Sequence, residues 1–199
     1  NSGADGTQTA LTLDELKSLI LDYANASVDN NATMLALKAY AADALTNNTS
    51  ALHRTAVSQL AFSSSLKYGS VTFSDGTYLL GAPEFIMHDD FARIEEEIIP
   101  YADKGDRVLL FARYDGENVE NGINGKVTPL GFVALANPIR ENAVKTFEYF
   151  KSQGVAIKVI SGDNPRTVSR IAIQAGIENA ESFVDAATLD TEDKIADAV

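Results

Sequence analysis

Val159-Ile160-Ser161-Gly162-Asp163-Asn164 carries the densest chemistry in the sequence. An apolar run delivers a hydroxyl, a glycine and a carboxylate to the start of a helical pattern. The C-terminal end of a parallel strand is where α/β folds place ligands. The N–H groups that open the following helix attract a phosphate oxygen, and Ser161 can donate a hydrogen bond to it. The same residues also suit a plain strand-to-helix turn with Asp163 or Asn164 as N-cap.

Four further clusters carry weaker signals. Phe62-Ser63-Ser64-Ser65-Leu66-Lys67 ends a strand on an aromatic with a lysine five positions on, able to stack a base and reach a phosphate. An aromatic in a strand is also ordinary core, and a lone lysine is ordinarily solvated. Gly81 in Gly81-Ala82-Pro83-Glu84 allows the close approach of a flat ligand, or simply turns the chain. Arg107 heads an apolar strand, a place where a guanidinium takes a carboxylate or phosphate partner. Arg140 follows Asn137-Pro138-Ile139. His53 and His88 are not spaced as a metal pair, so no metal ligand is assigned, and no Ser/His/Asp arrangement points to nucleophilic catalysis. Glu95-Glu96-Glu97 reads as a solvated helix face.

The elements that position these residues change texture along the chain. Thr12-Leu13-Asp14-Glu15 has capping-box spacing ahead of a helical pattern. A second helix is expected over 32–44, and Asn47-Asn48-Thr49-Ser50 reads as a loop. Strands are expected over 56–62, 67–73 and 77–80, the last two joined by a Ser74-Asp75-Gly76 hairpin turn. A short helix after Pro83, a helix over 91–102 and strands over 107–114 and 128–135 follow. Beyond Asn137-Pro138 the pattern becomes helix (140–153), strand (155–160), helix (164–175), a short strand at Phe183-Val184 and a last helix from 191. Such alternation marks parallel α/β sheets. The expected fold class is therefore α+β followed by α/β, in two domains, 1–137 with an antiparallel sheet and flanking helices and 138–199 as part of a parallel α/β domain.

Composition narrows the function. The 199 residues hold no cysteine and carry a formal charge of −12. The charge repels phosphate backbones, so nucleic acid is not an expected partner. No apolar run reaches the ~20 residues a membrane helix needs, and Asn1 to Gly6 reads as a polar linker.

Taken in order, the five clusters resemble those of the P-type cation-transporting ATPases: the Phe-Ser-x-x-x-Lys strand, the Gly-Ala-Pro-Glu turn, the Arg-headed strand, the Pro-x-Arg hinge (Pro138-Ile139-Arg140) and the Gly-Asp motif (Gly162-Asp163). The resemblance implies a nucleotide-binding domain attached to part of a haloacid-dehalogenase-like phosphorylation domain. It implies that Phe62 stacks on adenine, that Lys67, Gly81 and Ala82 line the same pocket and that Arg107 helps hold the phosphates of ATP. Arg140 would act at the hinge. Ser161, Gly162 and Asp163 would form the catalytic set that meets the transferred phosphoryl group. It further implies magnesium in the full-length protein and a place on the cytoplasmic face of the cell membrane, the fragment itself being soluble. The partners would be ATP and the rest of the pump, namely its transmembrane, actuator and phosphorylation parts.

Three departures from the family pattern stand out. No Asp-Lys-Thr-Gly-Thr segment supplies the phosphorylated aspartate, so the isolated fragment is expected to be inactive. Leu80 stands where the family often has lysine, and Met34 where a glutamate meets the adenine amino group. If Leu80 lies at the pocket mouth, Leu80→Lys should tighten ATP binding about 3- to 10-fold. Two other readings remain: a non-catalytic interaction module with a vestigial pocket, and a soluble haloacid-dehalogenase-type phosphatase.

Overall fold

The computed structural model describes residues 11–47, 54–136, 138–185 and 188–198. The opening linker, Asn48 to Ser50, His53 and Asn137 lie outside them. The chain divides into two compact units, one of residues 1–91 and 109–133, the other of 92–108 and 134–199.

In the first unit, α1 (Leu13–Ala26) starts on the expected capping box. Thr12 Oγ1 accepts the Glu15 N–H at 3.3 Å, and the Glu15 carboxylate accepts the Thr12 N–H at 2.8 Å. Donation from the Thr12 N–H, and from the Thr12 hydroxyl at 2.8 Å, holds the Glu15 carboxyl below its usual range. Asn31 Oδ1 accepts the Met34 N–H at 2.9 Å and opens α2 (Ala32–Asn47). The sheet runs in chain order: β1 (Ser58–Leu60), β2 (Tyr68–Phe73), β3 (Gly76–Gly81), β4 (Arg107–Asp115) and β5 (Lys126–Leu135). The first three ladders are antiparallel. Ser74 and Asp75 turn β2 into β3, with Phe73 paired to Gly76. α3 (Pro83–Met87) follows β3 with proline in its first turn, the position where a missing N–H costs nothing.

The helices cover one face of this sheet. Leu19, Tyr23, Met34 and Leu37 pack against Val71, Phe73, Tyr78, Leu80 and Phe111. Tyr78 stacks on Phe111 at 5.8 Å between centroids, and Tyr23 meets the same ring edge-on at 5.6 Å. Each such pair contributes roughly 0.5–1.5 kcal/mol beyond area burial. Leu79, Leu110 and Ala112, with no exposed surface, alternate with these residues.

This core corrects the placement of two residues. Leu80 is 5% exposed and Met34 3% exposed, and both belong to the cluster between helices and sheet. The reason lies in strand parity. β3 continues through Gly81, which pairs with both Tyr68 and Leu110, so Leu80 lies within the ladder and shares the inward face with Tyr78. Leu80 is a packing residue, not the mouth of a pocket.

The second unit contains α4 (Glu95–Ala102), α5 (Ala143–Ser152), α6 (Pro165–Gln174) and α7 (Glu192–Ala198). The helix expected over 91–102 begins late, because a 3₁₀ stretch, His88–Arg93, precedes α4. After α4, Gln174 donates to the Lys104 carbonyl at 3.1 Å, and Asp103 faces Arg170 at 3.6 Å and Arg166 at 3.9 Å. The strands expected at 155–160 and at Phe183-Val184 do not form. Both stretches lack a ladder among the described residues. Ile160 is 98% exposed, since an apolar run cannot become a strand without a neighbour to accept its N–H groups. Among the described residues, no helix is long and apolar enough to cross a membrane.

Candidate functional site

Phe62 lies two residues beyond the end of β1, in a loop where a strand was expected to continue. Phe62 is 44% exposed. A turn returns the chain from Ser63 to β2. The Lys67 N–H donates to the Ser63 carbonyl at 2.7 Å, and the Ser63 N–H donates to the Tyr68 carbonyl at 3.2 Å. Ser63 Oγ accepts the Ser65 and Leu66 N–H groups, each at 3.3 Å.

Lys67 closes that turn with φ at +62°, in the left-handed region. A lysine there costs on the order of 1 kcal/mol relative to glycine. The conformation aims its carbonyl at the next strand, where it accepts the Ala82 N–H at 2.9 Å. Gly81 makes the approach feasible. A Cβ on Gly81 would stand 2.3 Å from the Lys67 carbonyl oxygen and 2.5 Å from Tyr68 Cα. Four of the expected nucleotide-binding residues, Phe62, Lys67, Gly81 and Ala82, are thus gathered at one end of β2 and β3.

The other expected residues belong to the second unit. Ser161, Gly162 and Asp163 are exposed on the loop before α6. Ser161 Oγ accepts the Asp163 N–H at 3.1 Å, which leaves the hydroxyl proton able to donate. Asn164, not Asp163, caps α6. Its Oδ1 accepts the N–H groups of Arg166 at 3.0 Å and Thr167 at 3.4 Å. The Arg107 guanidinium forms an ion pair with the Asp163 carboxylate. Both side chains are about half exposed, so the pair contributes no more than ~1 kcal/mol and is open to competition from a phosphate. Arg140 is exposed, and its carbonyl accepts the Ala143 N–H at 2.8 Å ahead of α5.

The profile of the haloacid dehalogenase-like hydrolases matches residues 5–197. The chain belongs to that family. Among these hydrolases it is similar to cation pumps. It is 36% identical over 144 residues to the probable cation-transporting ATPase exp7 of Streptococcus pneumoniae, a match covering 70% of this chain and 18% of that protein. It is 35% identical over 117 residues to the calcium-transporting ATPase CtpE of Mycolicibacterium smegmatis, covering 58% and 15%. A solved zinc-transporting PIB-type ATPase in its E2.Pi state aligns with a TM-score of 0.49 at 24% identity, over 85% of this chain and 24% of that one. The chain therefore spans under a fifth of the length of the curated relatives it matches. Among the described residues of this haloacid dehalogenase-like chain, no group of three His, Asp or Glu side chains is placed to hold a metal ion.

Proposed function

We propose that the chain is the ATP-binding cytoplasmic part of a cation-transporting P-type ATPase, with residues 1–137 as its nucleotide-binding domain and 138–199 as part of its phosphorylation domain. The convergence of Phe62, Lys67, Gly81 and Ala82 supports this reading most strongly. The exposed Phe62 ring offers a stacking surface for adenine. The Lys67 ammonium, five residues on across a tight turn, offers charge for the nucleotide's anionic tail. Gly81 lets the Lys67 carbonyl come close and so fixes the turn beside Phe62, and Ala82 would line the same pocket. Arg107 would help hold phosphate by exchanging Asp163 for a phosphate oxygen. Ser161 would donate to the phosphoryl group, Gly162 would allow its approach, and Arg140 would act at the hinge between the parts. The partners are ATP, magnesium bound elsewhere in the pump, and the transmembrane and actuator parts at the cytoplasmic face of the membrane.

ATP titration of the wild-type chain and of Phe62→Ala tests the reading. The wild type is expected to bind with a dissociation constant on the order of 1 mM. Loss of one aromatic platform costs roughly 1–3 kcal/mol, at least a ~5-fold weakening. Equal affinity in the two proteins would remove Phe62 from the site and the reading with it.

A further inference from the structure

We propose that Asp29 is the positioning residue of the aromatic platform, acting through the Phe62 backbone; this rests on the nucleotide reading above. Asp29 lies in the connector Ser27-Val28-Asp29-Asn30-Asn31 between α1 and α2, 33 positions before Phe62. Both its carboxylate oxygens stand 3.0 Å from the Phe62 nitrogen. That N–H has passed the end of the β1–β2 ladder at Leu60 and Ser70, and Asp29 supplies the acceptor the ladder no longer gives. A bond from a backbone N–H to an ionised acceptor is among the stronger hydrogen bonds.

The carboxylate is itself held. Ser27 Oγ donates to Oδ2 at 3.3 Å and accepts the Asp29 N–H at 3.2 Å. From α2, the Lys38 ammonium donates to the carbonyls of Ser27 at 3.0 Å and Asp29 at 3.2 Å. Across the gap β2 presents Gly69. A Cβ there would stand 3.1 Å from the Leu60 carbonyl oxygen, 3.2 Å from Phe62 N and 3.4 Å from Asp29 Oδ2. The absence of a side chain at Gly69 is what lets the three backbones and the carboxylate fit.

An exposed ring on a loose loop loses conformational freedom when a base stacks on it, and that loss weakens binding. Here the backbone beneath the ring is fixed from behind before any ligand arrives. A carboxylate does not attract the anionic phosphates of a nucleotide, so its contribution runs through the orientation of Phe62.

The experiment uses the full chain, with Asp29→Ala, Asp29→Asn and Phe62→Ala compared by NMR titration with ATP, by the chemical shift of the Phe62 amide, and by thermal melts. Asp29→Ala is expected to weaken ATP binding about 5- to 10-fold and to move the Phe62 amide upfield. Asp29→Asn keeps an acceptor oxygen and should restore affinity to within about 2-fold of wild type. If Asp29→Ala melts below the titration temperature, Asp29→Ser replaces it under the same outcomes, because its hydroxyl falls short of the amide. The proposal is overturned if Asp29→Ala binds ATP like the wild type while Phe62→Ala does not, or if Ala and Asn weaken binding equally. If Phe62→Ala itself binds like the wild type, the nucleotide reading fails first and the positioning role falls with it.

Discussion

Leu80→Lys is expected to destabilise the protein by about 4 kcal/mol and to bring no gain in ATP affinity. Leu80 is 5% exposed, packed in the cluster that includes Leu19, Tyr23 and Phe111. Removing that buried side chain forfeits roughly 1.5–3 kcal/mol of apolar burial. The ammonium adds a desolvation cost, because neighbours on the inward face are aromatic or aliphatic. A lysine stem can carry its charge toward water and recover part of this cost, which is why the expected loss stops short of the full sum. Set against a typical domain stability of about 5–15 kcal/mol, the variant should retain a folded population with a clearly lowered midpoint. Urea unfolding together with ATP titration measures both quantities. A variant as stable as the wild type that binds ATP more tightly would put Leu80 at a pocket mouth and contradict the packing described here.

Gly81→Ala should be nearly as damaging for a different reason. Its Cβ would lie 2.3 Å from the Lys67 carbonyl oxygen, 2.5 Å from Tyr68 Cα and 2.6 Å from Tyr68 Cβ. Two of these atoms are backbone, and no rotamer change relieves them. The end of β3 must lift away from β2, which disrupts the Tyr68–Gly81 pairing and the bond from Ala82 to Lys67. Overpacking with backbone displacement costs about 3 kcal/mol, which corresponds to a melting temperature lower by about 10 °C. ATP binding should weaken as well, since Lys67 is displaced from Phe62. Gly131→Ala is the control. Its Cβ would meet Leu16 Cδ2 at 2.5 Å, but that contact is the far end of a leucine side chain that can turn aside. A melt in which Gly81→Ala is no worse than Gly131→Ala would show that the β2–β3 end is not closely packed.

The sequence made local features legible where one segment contains both partners. Thr12 and Glu15 lie one turn apart and announce α1; Asp75-Gly76 marks the hairpin; Pro83 marks the start of α3. The proximity of four of the expected nucleotide-binding residues was legible through the family resemblance. The resemblance implied one pocket for Phe62, Lys67, Gly81 and Ala82, and the pairing of Tyr68 with Gly81 is what brings the two segments together. Features that depend on a distant partner were not legible. The run 155–160 has the apolar content of a strand, but composition cannot supply the neighbour a ladder needs. Leu80 was misplaced at a strand end, whereas the ladder runs on to Gly81 and the two-residue alternation puts Leu80 on the covered face with Tyr78. Asp29 resembles any polar residue between two helices, and only the folded chain brings it to the Phe62 amide across 33 positions.

Mapping ATP onto the backbone amides of the full chain by NMR tests the central claim most directly. Signals of Phe62, Lys67, Gly81 and Ala82 should shift together and saturate with one dissociation constant on the order of 1 mM. Shifts confined to Ser161, Gly162, Asp163 and Asn164, with the Phe62 group unmoved, would contradict it.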